Sequence, residues 1–317
     1  MPLAASGKHA QVAIKEWPVP WANTHPRDPH VQSPDRVWFI SESGNYLATF
    51  NLQTQRFSKV DLADEPAPRA LVVAAGAKGM VWYTSSAHEY IGRYDPMSRT
   101  IARFPIPNDA ASDPTALAFE AGERNIWFTA RESNVVGRLR LVNGIVDLAG
   151  LTTKGAQPDG VAMAPNAGNP WFALSGTNKL ATIDVRTFAL TEHTLPRAAA
   201  RVHRLAFTSD GRLWYADTAE GYLGAFTPGA NAATAREWAL PGGKGSQPYA
   251  LAVDSQDRLW TVTKPNKLVC FDPKTERFEA TPIPSGGGGV TDLSFDRSSG
   301  MLWFATDANT IGYASLN

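Results

Sequence analysis

His203 and Asp217 stand fourteen residues apart in the stretch Arg201 to Phe226. An imidazole with a carboxylate to orient it is the usual apparatus of a general base, because its unperturbed pKa lies near neutrality. Other chemistry-bearing residues recur at equivalent points along the chain. Arg27, Arg69, Thr115, Asp159, His203, Tyr249 and Thr291 form one such series, and Ser41, Ser85, Ala130, Leu174, Asp217, Thr263 and Thr306 form a second. Two guanidiniums could hold an anion, His203 could take a proton, and Asp159 and Asp217 could bond a polar ligand. A lone histidine is more often structural than catalytic. A polar ring also suits a water-filled channel mouth that binds nothing in particular.

What would bring these residues together is a repeat. Trp38-Phe39, Trp82-Tyr83, Trp127-Phe128, Trp171-Phe172, Trp214-Tyr215, Trp260-Thr261 and Trp303-Phe304 follow one another at differences of 44, 45, 44, 43, 46 and 43. A fixed period of this size means stacked supersecondary units. Each unit resolves into four short segments, a to d, rich in aromatic and aliphatic residues and bounded by Gly, Pro, Asp or Asn. In the fifth unit these are Arg204 to Phe207, Arg212 to Ala216, Tyr222 to Phe226 and Arg236 to Leu240. The d segments mostly end in Pro, which an edge strand tolerates and a central one does not, so d is outermost. An Asn opens most c segments, as at Asn45, Asn134, Asn178, Asn266 and Asn309, and suits a turn residue bonding its own backbone. No sustained 3.6-residue periodicity occurs, and no helix is predicted.

Four-stranded units at this period predict an all-β fold, a seven-bladed β-propeller, with the tryptophans as packing between blades. No Trp-Asp dipeptide and no recurring glycine pair is present, so neither the WD nor the kelch pattern fits. The seventh unit has segments a to c and then the chain stops. Val12 to Pro20 matches the fifth unit's d segment, and its addition to the last blade would close the ring and remove two open edges. Residues 1–11 are expected to be a loose terminus before a single domain spanning 12–317. In this fold the a strands are innermost, so the starts of a and the ends of b surround one mouth of the central channel. Glu42, His88, Glu89, Arg131 and Lys264 would form its rim.

Composition limits the partners. Thirty basic residues balance thirty acidic ones, which leaves no basic footprint for nucleic acid. No apolar run is long enough to span a membrane. No signal peptide is visible, so the chain reads as cytoplasmic as written, or periplasmic were a leader removed. A monomer taking a small molecule or peptide at the mouth is expected. The single Cys270 reads as a small buried hydrophobe, and His193, on an outer strand, as a surface residue. Gly242 to Ser246 lacks the spacing of a phosphate loop and a following helix, and Ser285 to Gly289 reads as a flexible connection.

Three motifs, Gln247-Pro-Tyr-Ala-Leu251, Ile126-Trp-Phe-Thr129 and Tyr90-Ile-Gly-Arg93, resemble the repeats of the virginiamycin B lyase (streptogramin lyase) family over essentially the whole chain. Pro26-Arg27-Asp28-Pro29 matches part of a first-blade motif in one branch of it. The resemblance implies an elimination that linearises a cyclic depsipeptide. A base removes a proton α to a carbonyl, a C–O bond breaks, and Mg²⁺ stabilises the developing enolate. The family's site has a His opening one a strand, Glu-Pro-His opening the next, and a Glu after that blade's Trp. Here the His is His203, the tripeptide is Gln247-Pro248-Tyr249, and the last Glu falls at Thr263 or Lys264. Loss of both carboxylates leaves no oxygen-ligand set of the expected kind, so no metal or cofactor is expected. His203 and Tyr249 are the expected catalytic residues, although a phenol is a poor base at neutrality. Arg27, Arg69, Asp159, Asp217 and Gln247 are the expected substrate contacts. The alternative is a propeller that binds without catalysis.

Overall fold

The computed structural model describes residues 12–316, apart from 63–67, 75–78, 86–88, 108–112, 167, 232–233 and 287–288. The terminus 1–11 and the rim residue His88 lie outside the described residues.

Seven antiparallel sheets of four strands form the described chain, and in six of them the strands are consecutive in sequence. The seventh sheet takes Leu293–Asp296, Met301–Thr306 and Thr310–Ser315 and is completed by Ala13–Pro18 from the N-terminus. Its closing register runs from Ala13 opposite Ser315 to Pro18 opposite Thr310. The fold is therefore a seven-bladed propeller with the closure expected. All seven b strands end at the predicted residues, from Ser41 to Thr306, whereas the sixth and seventh a strands begin at Leu251 and Leu293, two residues after Tyr249 and Thr291. No helix among the described residues is long and apolar enough to cross a membrane.

Alternation along the b strand sends the two aromatics of each pair to opposite faces of a blade. The tryptophans meet the next blade: Trp38 is edge-on to Tyr94 at 5.8 Å, Trp127 stacks on Phe188 at 6.0 Å, and Trp303 meets Phe50 at 6.4 Å. The second aromatic lies opposite a small residue of the facing c strand, Ala48 and Ala181 in the first and fourth blades and a glycine in four others. Tyr83 faces Gly92, Phe128 faces Gly137 and Tyr215 faces Gly224. A Cβ on any of these three glycines would sit 2.1 to 2.4 Å from a ring atom. The sixth blade, with Thr261 instead of an aromatic, places Val269 opposite, so the volume moves across the pair.

Three local expectations are corrected. Four of the five Asn residues that open c strands take positive φ, as at Asn134 (60°) and Asn309 (62°), yet the carboxamide of Asn134 bonds the connection to the next blade rather than its own turn. Asn134 donates to the Thr153 carbonyl at 2.8 Å and accepts from the Ala156 amide at 2.7 Å. His193 is half-buried, its ring 4.7 Å from that of Trp171, and burial lowers its pKa. The glycine-rich stretch contains one 3₁₀ turn, Gly243–Ser246, where no helix is predicted. Cys270 is buried as expected, which pushes its thiol up to about 12.

Candidate functional site at the channel mouth

Strict alternation would let only every second residue of an inner strand face the channel. Register shifts at the strand starts remove that limit: they fall between Arg27 and His30, Pro68 and Leu71, Pro158 and Val161, and Val202 and Leu205. A bulge of this kind re-aims neighbouring side chains, and it lets His203 and Arg204 turn to the same partner. Gly160 completes the arrangement. A Cβ there would lie 2.3 Å from the His203 carbonyl oxygen, so the fourth and fifth inner strands approach closely only because that residue has none.

The shared partner is Asp159, whose side chain is 1% exposed. One carboxylate oxygen contacts His203 Nδ1 at 2.6 Å, accepts from the Tyr249 hydroxyl at 3.1 Å and meets Arg131 at 3.4 Å. The other accepts from Arg204 at 2.8 Å, and the Asp159 backbone carbonyl accepts from Thr129 at 2.6 Å. The His203 and Tyr249 rings stack with centroids 4.4 Å apart, and the Arg204 guanidinium lies 5.1 Å from the Tyr249 centroid. Burial alone would raise the Asp159 pKa, but Arg204 and the His203 contact hold it well below the ordinary carboxylate range. Burial opposes the charge of Arg204 too, yet the carboxylates of Asp159 and Asp292 keep it a fixed cation. Burial also raises the Tyr249 phenol, which therefore stays protonated as a donor.

The residue that orients His203 is thus Asp159 of the neighbouring blade, and the expectation that Asp217 does so is corrected. Asp217 is fully buried and turns one oxygen to the backbone amides of Arg201, Ala219 and Glu220 at 3.0 to 3.2 Å, which stabilises the loop after its strand. Burial raises its pKa. Arg27 pairs with Glu42 at 2.5 Å. Arg69 lies 3.1 Å from an Asp113 oxygen, a charge contact without hydrogen-bond alignment. Both arginines, expected as substrate contacts, are therefore already matched with a carboxylate of the protein. Gln247 ends the 3₁₀ turn with φ 39°. With Tyr249, Thr263, Lys264, Thr218 and Val262 it lines a cavity of about 170 Å³ between the sixth and seventh blades. The positions that the family resemblance singles out do therefore converge, with His203 behind Tyr249.

Sequence reasoning missed Arg204, Asp28 and Asp292. Asp28 is buried, bonds the Leu71 amide at 3.1 Å, and lines a second cavity of about 140 Å³ with Arg204, His30 and Asp292. Pro26-Arg27-Asp28-Pro29 was the one signal for it, and the motif's meaning lay in Asp28 as much as in Arg27.

Comparison with known proteins agrees with this architecture. The profile of the virginiamycin B lyase family matches residues 6–271. Selenomethionine-substituted virginiamycin B lyase from Staphylococcus aureus superposes with a TM-score of 0.86 at 22% identity, over 97% of this chain and 100% of that one. A catalytically inactive variant of the S. aureus enzyme, solved with quinupristin, gives 0.86 at 21% over the same shares. A streptogramin B lyase gives 0.85 at 20%, over 96% of this chain and 98% of that one. No curated protein matches. A profile match over most of the chain, on a propeller with the same blade count as the sequence repeats, places it: the chain belongs to the virginiamycin B lyase family.

Proposed function

We propose that this propeller is a carbon–oxygen lyase of the streptogramin lyase type, opening a cyclic ester or depsipeptide by elimination with His203 as base. The observation that carries the reading is the 2.6 Å contact between His203 Nδ1 and Asp159. A carboxylate only accepts, so the ring proton is held on Nδ1 and the lone pair of the neutral imidazole is left on Nε2. Nε2 takes a proton α to a carbonyl. The released electron pair forms a C=C bond to the adjacent carbon, whose C–O bond breaks, and the oxygen leaves as a carboxylate. Negative charge gathers on the carbonyl oxygen during that step, and Lys264, which lines the adjoining cavity, is the cation that offsets it. Tyr249 holds the dyad by stacking on His203 and donating to Asp159.

The Mg²⁺ implied by the resemblance does not fit this donor set. A carboxamide, a phenol, a hydroxyl and an ammonium group line the cavity at Gln247, Tyr249, Thr263 and Lys264, whereas a hard dication takes carboxylates. Among the described residues no group of three His, Cys, Asp or Glu side chains is placed to hold a metal. The same replacement favours a second reading, in which the mouth captures a small molecule or peptide without reaction.

Quinupristin, the compound named with the S. aureus enzyme, separates the two. The protein is incubated with it, with and without EDTA, and the product is followed by chromatography and mass spectrometry. Elimination opens the ring at unchanged mass, and hydrolysis adds a water. Ring opening that survives EDTA and is lost in a folded His203→Ala supports the lyase. Saturable binding with no opening supports the second reading, and opening abolished by EDTA overturns the metal-free assignment.

A further inference from the structure

We propose that the cleft between the first and second blades, on the face opposite the mouth, is a binding site for a small organic anion with a flat or apolar body. The cleft has a volume of about 470 Å³, within the range of small-molecule sites. Its origin is visible in the strand register. The residue directly opposite each blade's tryptophan is Thr49, Arg93, Arg138, Thr182, Ala225, Cys270 or Tyr313. In the second and third blades that residue covers the ring: Arg93 lies 5.6 Å from the Trp82 centroid and Arg138 lies 5.3 Å from that of Trp127. In the fourth blade His193 takes over, 4.7 Å from Trp171. The first blade has Thr49 beside Trp38, and Ser58 opposite Thr49, so two short hydroxyl side chains stand where the next blades place a guanidinium.

The positive charge lies instead around the opening. Arg36, Lys59 and Arg99 line the cleft, together with Tyr94, and no carboxylate does. Lys59 is paired with Asp61 at 2.6 Å. Arg36 and Arg99 form no ion pair among the described residues, because the acids next to them are committed to their own turns. Asp35 accepts from Ser33 at 2.7 Å and from Asn51 at 3.3 Å, and Asp95 accepts from the Met97 amide at 2.8 Å. Two guanidiniums without a carboxylate partner, that of Arg36 bonded only to the Gln32 amide oxygen at 3.5 Å, together with two hydroxyl donors and an aromatic wall, suit a carboxylate or phosphate carried on a ring. This inference is independent of the lyase reading, since the cleft shares no residue with the mouth.

The test uses the full chain and the Trp38 indole N–H signal in a ¹H–¹⁵N spectrum. Gln32→Ala identifies that signal, because Gln32 accepts the indole N–H at 2.8 Å. Naphthoate, naphthamide, naphthylmethylammonium and inorganic phosphate serve as probes. Naphthoate is expected to shift the Trp38 signal saturably, with the neutral amide and the cation inert. Arg36→Gln/Arg99→Gln should raise its Kd by about tenfold or more. Thr49→Arg, which installs the neighbouring blades' solution, should abolish binding while the fold is kept. Binding by phosphate alone, equal binding of the amide, no shift with any probe, or binding unchanged in both variants would each overturn the proposal.

Discussion

Asp159 carries more of the mouth than any other side chain, and its removal has a calculable consequence. It is a buried carboxylate between Arg204 and His203, and its loss strands a cation that is already costly to bury. Truncating one partner of such a pair typically costs about 3–5 kcal/mol. Asp159→Asn is therefore expected to lower unfolding stability by about that much in denaturant titration, whereas His203→Ala, which leaves Asp159 paired with Arg204, should cost clearly less. The pH dependence follows from the sign of the shift. The folded-state pKa lies below the unfolded one, so the contribution is complete above the unfolded value of about 4 and fades as pH falls toward the folded value. Asp159→Asn should therefore flatten the acid limb of the stability curve. Equal costs for the two variants would show that the carboxylate acts through packing alone.

At the scale of the element, the outer strand Ala13–Pro18 decides whether the ring is closed. Trp17 lies 4.8 Å from Phe50 and 5.7 Å from Tyr313, joining the seventh blade to the first, and Glu16 accepts from Thr310 at 2.9 Å and from the Ser285 amide at 2.8 Å. Trp17→Ala is expected to cost about 2 kcal/mol, less than for a fully buried ring because Trp17 is only partly buried. Deletion of residues 1–20 would leave the edge of Thr310–Ser315 unpaired, and concentration-dependent association in size-exclusion chromatography should follow. This strand was legible in the sequence because Glu-Trp recurs before a Pro in both Lys15 to Pro18 and Arg236 to Pro241. The b strands were legible to within a residue, the fifth running Leu213–Asp217 against Arg212 to Ala216 expected, because each has a tryptophan as a marker. The inner strands were less so, since bulges break the alternation that a reader relies on. For the same reason Asp217, close to His203 along the chain, was the visible partner. The real one, Asp159, reaches it across a blade boundary through a gap made by Gly160.

For the molecule as a whole, the inner strands place opposing acid and base responses around one axis. Arg204 of the fifth blade reaches Asp159 of the fourth at 2.8 Å and stands 4.0 Å from Asp292, ahead of the seventh. Asp28 of the first blade completes the ring. Its burial raises its pKa well above the ordinary value, the neighbouring Asp292 raises it further, and Arg204 offsets only part of this. His30 lines the same cavity and is lowered by burial, despite Asp292. The signs are opposite. The native state keeps a proton on Asp28 that the unfolded chain gives up above about pH 4, so this residue takes stability away as pH rises through that window. His30 resists a proton that the unfolded chain accepts below about pH 6.5, so it takes stability away as pH falls. Asp28→Asn mimics the protonated acid, can still accept from the Leu71 amide, and tolerates the positive φ of 49° at this position. Thermal unfolding measured across pH should show the variant gaining on the parent toward neutral pH and above. The acid-side slope set by His30 should remain. A variant less stable than the parent at neutral pH would mean that an ionised Asp28 holds the ring together through Arg204, and that the axis is a salt-bridged clamp rather than a proton-bearing one.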